Sequence, residues 1–232
     1  MNFLKLCFIK NSQNRSSYLW VCIYLLFCAS IIFQLSSCAI PPRAERIEIQ
    51  SSSGLDEGSL YERLRSFEEI RSIKANFSIG FDRGDGVVIK GDGILNLSGD
   101  ALDLQVYSMG FLVAEVNADN SGIRSNPSVD KNRLIMLVDG LRNSFFWWDI
   151  KGYDLEDEKD HYIIRNSWKR LTIDKKTMMP LKQVIDLEDG KHLDVFYYEP
   201  SDINGFPFPS RIRIELSHYA VELRIKDITL IP

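Results

Sequence analysis

The chain has 232 residues, with 28 Lys and Arg against 32 Asp and Glu and a formal net charge of −4. Its first 37 residues carry three basic and no acidic side chains, so the remainder sets 25 basic against 32 acidic groups, a net charge of −7. Charges of both signs alternate without clustered Lys and Arg, which excludes a nucleic-acid partner, because that binding draws on released counterions.

Lys5, Lys10 and Arg15 precede an apolar run from Tyr18 to Leu35, closed by Ser36, Ser37 and Cys38. A basic start, an apolar middle and small residues at the end form the layout of an export signal. At about 18 residues the run also approaches the length that spans a bilayer's hydrocarbon core, so an uncleaved anchor stays open on length alone. In either case the rest of the chain is exported. Cys7, Cys22, Cys28 and Cys38 are the only cysteines, so nothing beyond Cys38 can form a disulfide although an exported compartment would permit one. Leu35-Ser36-Ser37-Cys38 resembles the lipobox of bacterial lipoproteins. The resemblance implies that residues 1–37 are a signal peptide and that Cys38, acylated on its thiol, begins the mature chain and anchors it to a membrane. Buried acyl chains contribute about 0.8 kcal/mol per CH₂, enough for a stable anchor when two or more are attached. In many such lipoproteins an Asp after the cysteine retains the protein in the inner membrane; here Ala39 stands there, which implies the outer membrane, facing the periplasm.

Residues 38–54 carry Pro41-Pro42 and the run Ser51-Ser52-Ser53-Gly54 without an apolar period, and read as a tether. From Leu55 to Pro232 about 180 residues remain, enough for one sizeable core. Ser59 and Glu62 form a capping box, and Leu60, Leu64, Phe67 and Ile70 recur at helical spacing, which predicts an amphipathic helix laid against a sheet.

From Ile73 the period changes to two. Strands are predicted at Val88 to Leu97, around Leu102, Leu104 and Val106, at Val113 to Ala118, His161 to Arg165, Lys169 to Ile173 and Leu181 to Leu187. Further strands follow at His192 to Tyr198, Arg211 to Leu216, Val221 to Ile225 and Ile228 to Ile231, ten or eleven in all. Asp85-Gly86, Ser98-Gly99-Asp100, Met109-Gly110, Asn120-Ser121-Gly122, Asp174 to Thr177 and Glu188-Asp189-Gly190 supply the hairpin turns. A meander of this length coils into a curved antiparallel sheet or incomplete barrel. The fold class is therefore mainly β, with an N-terminal helix and one helix in mid-chain.

That second helix is predicted over Asp130 to Trp148. Leu134, Leu137, Val138, Leu141 and Phe145 fall at helical spacing, and Ile135, Met136, Phe146, Trp147 and Trp148 make it apolar almost all round. A helix of this kind is buried. It either closes the barrel as core or serves as a lid over an apolar cavity, with Met136 able to repack around a ligand. At the hairpin Met109-Gly110-Phe111-Leu112, large apolar residues sit at a tight turn, where polar ones are usual; they either contact a membrane or partner, or fold back onto the barrel.

The order of lipobox, tether, amphipathic helix, hairpins, apolar mid-chain helix and further hairpins resembles the LolA/LolB-like family of lipoprotein carriers and receptors. Leu171 to Leu181 is similar to that family's strand, Asp-containing turn and Pro-led return strand, and Tyr107 to Leu112 occupies the place of the receptors' protruding apolar hairpin. Met109 then stands where the family's Pro-Leu-Gly tip has its leucine. The resemblance implies an incomplete barrel whose interior shelters the acyl chains of lipids or lipoproteins, a periplasmic carrier as partner, and Met109, Phe111 and Leu112 as a membrane-contacting tip.

Catalytic patterns are absent. His161, His192 and His218 lie in no metal-binding spacing, and Gly84-Asp85-Gly86 and Gly91-Asp92-Gly93 lack the helix that a phosphate loop needs. The acidic run Asp154, Glu156, Asp157, Glu158 and Asp160 reads as a solvated loop, and Phe206-Pro207-Phe208-Pro209 as a rigid loop leading into an edge strand. The sequence thus predicts a monomeric, non-enzymatic lipoprotein without cofactor or metal, with a scaffold or sensor subunit of an envelope assembly as the alternative.

Overall fold

The computed structural model describes residues 57–82, 88–203 and 206–232; the signal, Cys38 and the tether lie outside the described residues. Helix α1 spans Glu57–Phe67 and buries Leu60, Leu64 and Phe67, one every three or four residues, while Glu62, Arg65 and Ser66 stay in solvent. It begins at Glu57, so Ser59 lies in its first turn rather than before it.

Twelve strands follow: β1 (Ser72–Asp82), β2 (Val88–Ser98), β3 (Ala101–Ser108), β4 (Phe111–Asp119), β5 (Gly122–Asn126), β6 (Asp154–Asp157), β7 (His161–Arg165), β8 (Lys169–Asp174), β9 (Pro180–Asp186), β10 (His192–Ile203), β11 (Phe206–Leu216) and β12 (Tyr219–Ile231). All neighbours pair antiparallel in the order β5-β4-β3-β2-β1-β12-β11-β10-β9-β8-β7-β6. Two meanders, β1 to β5 and β6 to β12, are thus joined through β1 and β12, and among the described residues β5 and β6 are the edges of the sheet. This is the expected incomplete barrel of α+β class.

The strand list differs from expectation in four places. The stretches Val221 to Ile225 and Ile228 to Ile231 form one strand, β12, accommodated by a bulge opposite Asn76 and Phe77. The edge strand β5 lies outside the predicted strands, because Gly-Ile-Arg-Ser-Asn shows no alternation. Asp154–Asp157 belongs to strand β6, not to a solvated loop: pairing with β7 overrides its poor propensity, and Arg165 and Lys175 take up Glu156 and Asp157.

Phe206-Pro207-Phe208-Pro209 also lies in a strand. Strand β11 pairs with β10 from Phe206 onward but with β12 only from Arg211, and β12 beyond Arg224 runs with β1 alone. The sheet therefore splays between β11 and β12. Pro207 and Pro209 sit in that split, where no β12 partner calls for their missing N–H groups. Beside it Phe206 meets Phe67 edge-on at 5.4 Å, and Phe208 stacks on Phe145 at 5.7 Å.

The mid-chain segment is helical but not uniform. It comprises α2 (Lys131–Ile135), a π-helical turn (Met136–Gly140) and α3 (Leu141–Phe145). Asp130 caps it, one carboxylate oxygen accepting from the Arg133 N–H at 3.1 Å. Because β5 ends and β6 begins at the same end of the sheet, the segment leaves and returns to that end, and between them it crosses the concave face.

Candidate functional site

The helical segment packs on the concave face, its π-helical turn against β4, β10 and β11. Gly140 marks the closest approach: a Cβ there would stand 2.8 Å from Ile214 Cγ2, so the helix backbone rests on the floor of β11 and only glycine fits. Of the five residues expected to form a lid or cavity wall, Val138, Leu141 and Phe145 are fully buried, with the Phe145 ring 6.2 Å from Phe77; Leu134 and Leu137 are half-buried at the margin of the core. Past the helix, Trp147 and Trp148 pack on Phe67 of α1 at 5.3 and 4.6 Å. The helix is thus a plug seated in the half-barrel.

Polar contacts hold the plug at both ends. At its start Arg133 pairs with Asp130 at 2.8 Å and lies over the rings of Phe81 and Tyr219 at 5.5 and 5.4 Å, and Lys191 Nζ donates to Asn132 at 3.4 Å. Near its end, Lys169 Nζ donates to the Asp149 carbonyl at 3.0 Å and reaches Asn143 Oδ1 at 3.5 Å. Lys169 is only 2 % exposed, and burial pushes its ammonium down to about 7, against the smaller opposing pull of Asp149. Burial likewise raises the carboxyl of Asp139, in the π-helical turn, with Arg142 opposing. On the same inner face Tyr197 donates to Gln183 Oε1 at 3.1 Å, while Gln183 Nε2 and Trp147 Nε1 are buried with no partner among the described residues. Sequence reasoning missed Lys169 and Gln183. The period-two pattern held a signal, since Lys169 shares its face with Leu171 and Ile173, and Gln183 shares its face with Ile185.

The β3–β4 hairpin has the opposite character. Met109 and Gly110 both have positive φ, 52° and 82°, the two-residue turn whose twist matches the flanking strands. Met109 is 96 % exposed, Phe111 75 % and Leu112 51 %, with exposed Val113 behind them. The tip does not fold back onto the barrel. Exposed Val88 and Ile89 begin β2 at the same end of the sheet. The expected motif at Leu171 to Leu181 is also formed: Asp174 Oδ1 accepts from the N–H groups of Lys176 and Thr177 at 3.0 and 2.7 Å, and Pro180 opens β9.

The histidines stand apart from one another. His161 opens β7, His192 lies 2.7 Å from Asp186, and His218 packs on Tyr219 in the last turn. Among the described residues no group of three His, Cys, Asp or Glu is placed to hold a metal, and no helix is long and apolar enough to cross a membrane.

No family model and no curated protein sequence matches the chain. Solved structures match it in shape. A DUF1329 family protein from Desulfovibrio piger superimposes with a TM-score of 0.51 at 11% identity, over 74% of this chain and 90% of that one. A LolA superfamily protein from Nitrosomonas europaea gives 0.49 at 16% identity over 77% and 95%. A domain named for outer membrane lipoprotein sorting, from Vibrio parahaemolyticus, gives 0.44 at 10% over 74% and 90%. The first likeness is one of fold, and the order and pairing of the elements give the incomplete antiparallel barrel with helices expected from the sequence.

Proposed function

We propose that the chain is a non-enzymatic outer-membrane lipoprotein, anchored through acylated Cys38 and facing the periplasm, that accepts acyl chains of lipids or lipoproteins in its half-barrel and passes them to the bilayer. The observation that carries this reading is the plug. A helical segment that buries Met136, Val138, Leu141 and Phe145 lies on the floor of a sheet whose edge strands, β5 and β6, are not bonded to each other. Acyl chains offer the sheet the same kind of apolar surface that the helix offers, so they can replace it without chemistry, at a cost set by the contacts the helix loses. The π-helical turn is the natural yielding point, since such turns interrupt regular helical bonding. A periplasmic carrier would deliver the ligand, and the exposed Met109, Phe111 and Leu112 would meet the membrane. A scaffold role, with the plug never leaving, is favoured by the tight seat of Gly140 on Ile214. Native mass spectrometry of the purified protein separates the two: co-purifying lipid, exchangeable for an added diacylated lipopeptide, supports transfer, whereas an empty protein that takes up no lipopeptide supports the scaffold.

A further inference from the structure

The face of the sheet turned away from the helices carries a depression of about 700 Å³ at the end that also bears the β3–β4 tip. Its floor follows from the register. Outward positions of four neighbouring strands align as Lys90, Gly80, Glu222 and Arg213, and the adjacent row runs Tyr107, Asp92, Ser78 and Arg224. Gly80 and Ser78 at the middle leave the hollow that longer side chains surround. Sterics do not demand the glycine, because a Cβ at position 80 would meet nothing nearer than Val88 Cγ1 at 3.7 Å. The hollow is therefore open volume rather than a place of close packing.

Both signs of charge face into it. Asp92 is held by Lys226 at 2.6 Å and by Ser78 at 3.3 Å, and Glu222 accepts from Arg224 at 3.3 Å with Arg211 4.0 Å away. Lys90 has no ion pair or hydrogen bond among the described residues. Met109 stands on the rim, so the hollow opens directly onto the exposed apolar tip. A ligand matched to this site has an anionic group for Lys90 and Arg224, a cationic group for Glu222 and Asp92, and an apolar continuation toward Met109. A polyanion is disfavoured by the carboxylates, and a purely apolar ligand by the charged walls.

We propose that this hollow binds the zwitterionic phosphoethanolamine headgroup of a membrane phospholipid, phosphate beside Lys90 and Arg224 and ammonium beside Glu222. The proposal rests on the reading that the tip meets the bilayer, which would bring the hollow to headgroup depth. Charge-assisted bonds at both ends of one small group give it orientation as well as affinity. The headgroup would then register the receptor on the membrane while acyl chains are exchanged on the other face.

The test titrates the full chain, held in neutral detergent, with glycerophosphoethanolamine, glycerol 3-phosphate and ethanolamine, read by calorimetry. Saturable binding of the first at least tenfold tighter than of either fragment is expected; equal affinity for glycerol 3-phosphate would replace the headgroup with a free phosphate ester and overturn the proposal, as would no binding at all. Gly80→Phe obstructs the middle of the hollow and should abolish binding at unchanged melting temperature. Lys90→Glu, an exposed substitution that does not depend on that packing, should weaken binding at least tenfold, and unchanged affinity in Lys90→Glu would sink the idea. Lipopeptide uptake is measured in parallel. Uptake retained by both variants locates the loss in the hollow, while headgroup binding without lipopeptide uptake in the native chain would refute the transfer reading and leave the hollow standing.

Discussion

The mid-chain helix and the β3–β4 tip are both apolar stretches in a chain of alternating strands, and they meet opposite surroundings. Val138, Leu141 and Phe145 are wholly covered by the sheet, whereas Met109 and Phe111 stand in water. Length and geometry account for the difference. The helical segment is long enough to cross the concave face and reach α1, while a two-residue turn projects past the strand ends and is covered by none of the described residues. Apolar surface covered by the chain itself supplies stability, and apolar surface left uncovered calls for an outside partner.

The comparison breaks most sharply in the plug. Phe145→Ala should lower the unfolding free energy by about 3–5 kcal/mol, because it opens a void between Phe77 and Phe208; a loss under 1 kcal/mol in urea melts would mean that the helix is only loosely seated. Lys169 yields a smaller effect with a distinct pH signature. Its folded-state value of about 7 lies below the ordinary 10.5, so the unfolded chain holds the extra proton between those values and stability rises with pH across that window. Lys169→Met should remove the rise and, below pH 7, stabilise the protein by about 1–4 kcal/mol; a slope unchanged between pH 7 and 10 would contradict the buried ammonium. The smallest change in stability belongs to the tip. Met109→Glu with Phe111→Glu should shift the unfolding free energy by less than about 1 kcal/mol, yet reduce lipid delivery to liposomes. A melting temperature lowered by many degrees would show instead that the tip is covered.

Much of this contrast was legible in the sequence. The helical spacing of Leu134 to Phe145 announced a buried helix, and Met109-Gly110 between two strands announced a turn with apolar flanks. Depth was not legible: the same spacing serves a lid and a core, and only the 2.8 Å approach at Gly140 shows the helix lying on the sheet. Edge strands were lost for a different reason. Asp154–Asp157 and Gly122–Asn126 pair through backbone groups, which composition does not report, so an acidic run reads as a loop. The hollow on the outer face was hidden in the register. Lys90, Gly80, Glu222 and Arg213 come together only when four strands are aligned.

The exchange of plug for acyl chain is tested most directly by hydrogen–deuterium exchange of the full chain in neutral detergent, with and without a diacylated lipopeptide. If the helix yields to the ligand, amides of Met136–Gly140 and Leu141–Phe145 lose protection as lipopeptide saturates, while those of β1 and β12 keep theirs. Saturable binding with the helix amides as protected as before would contradict the account.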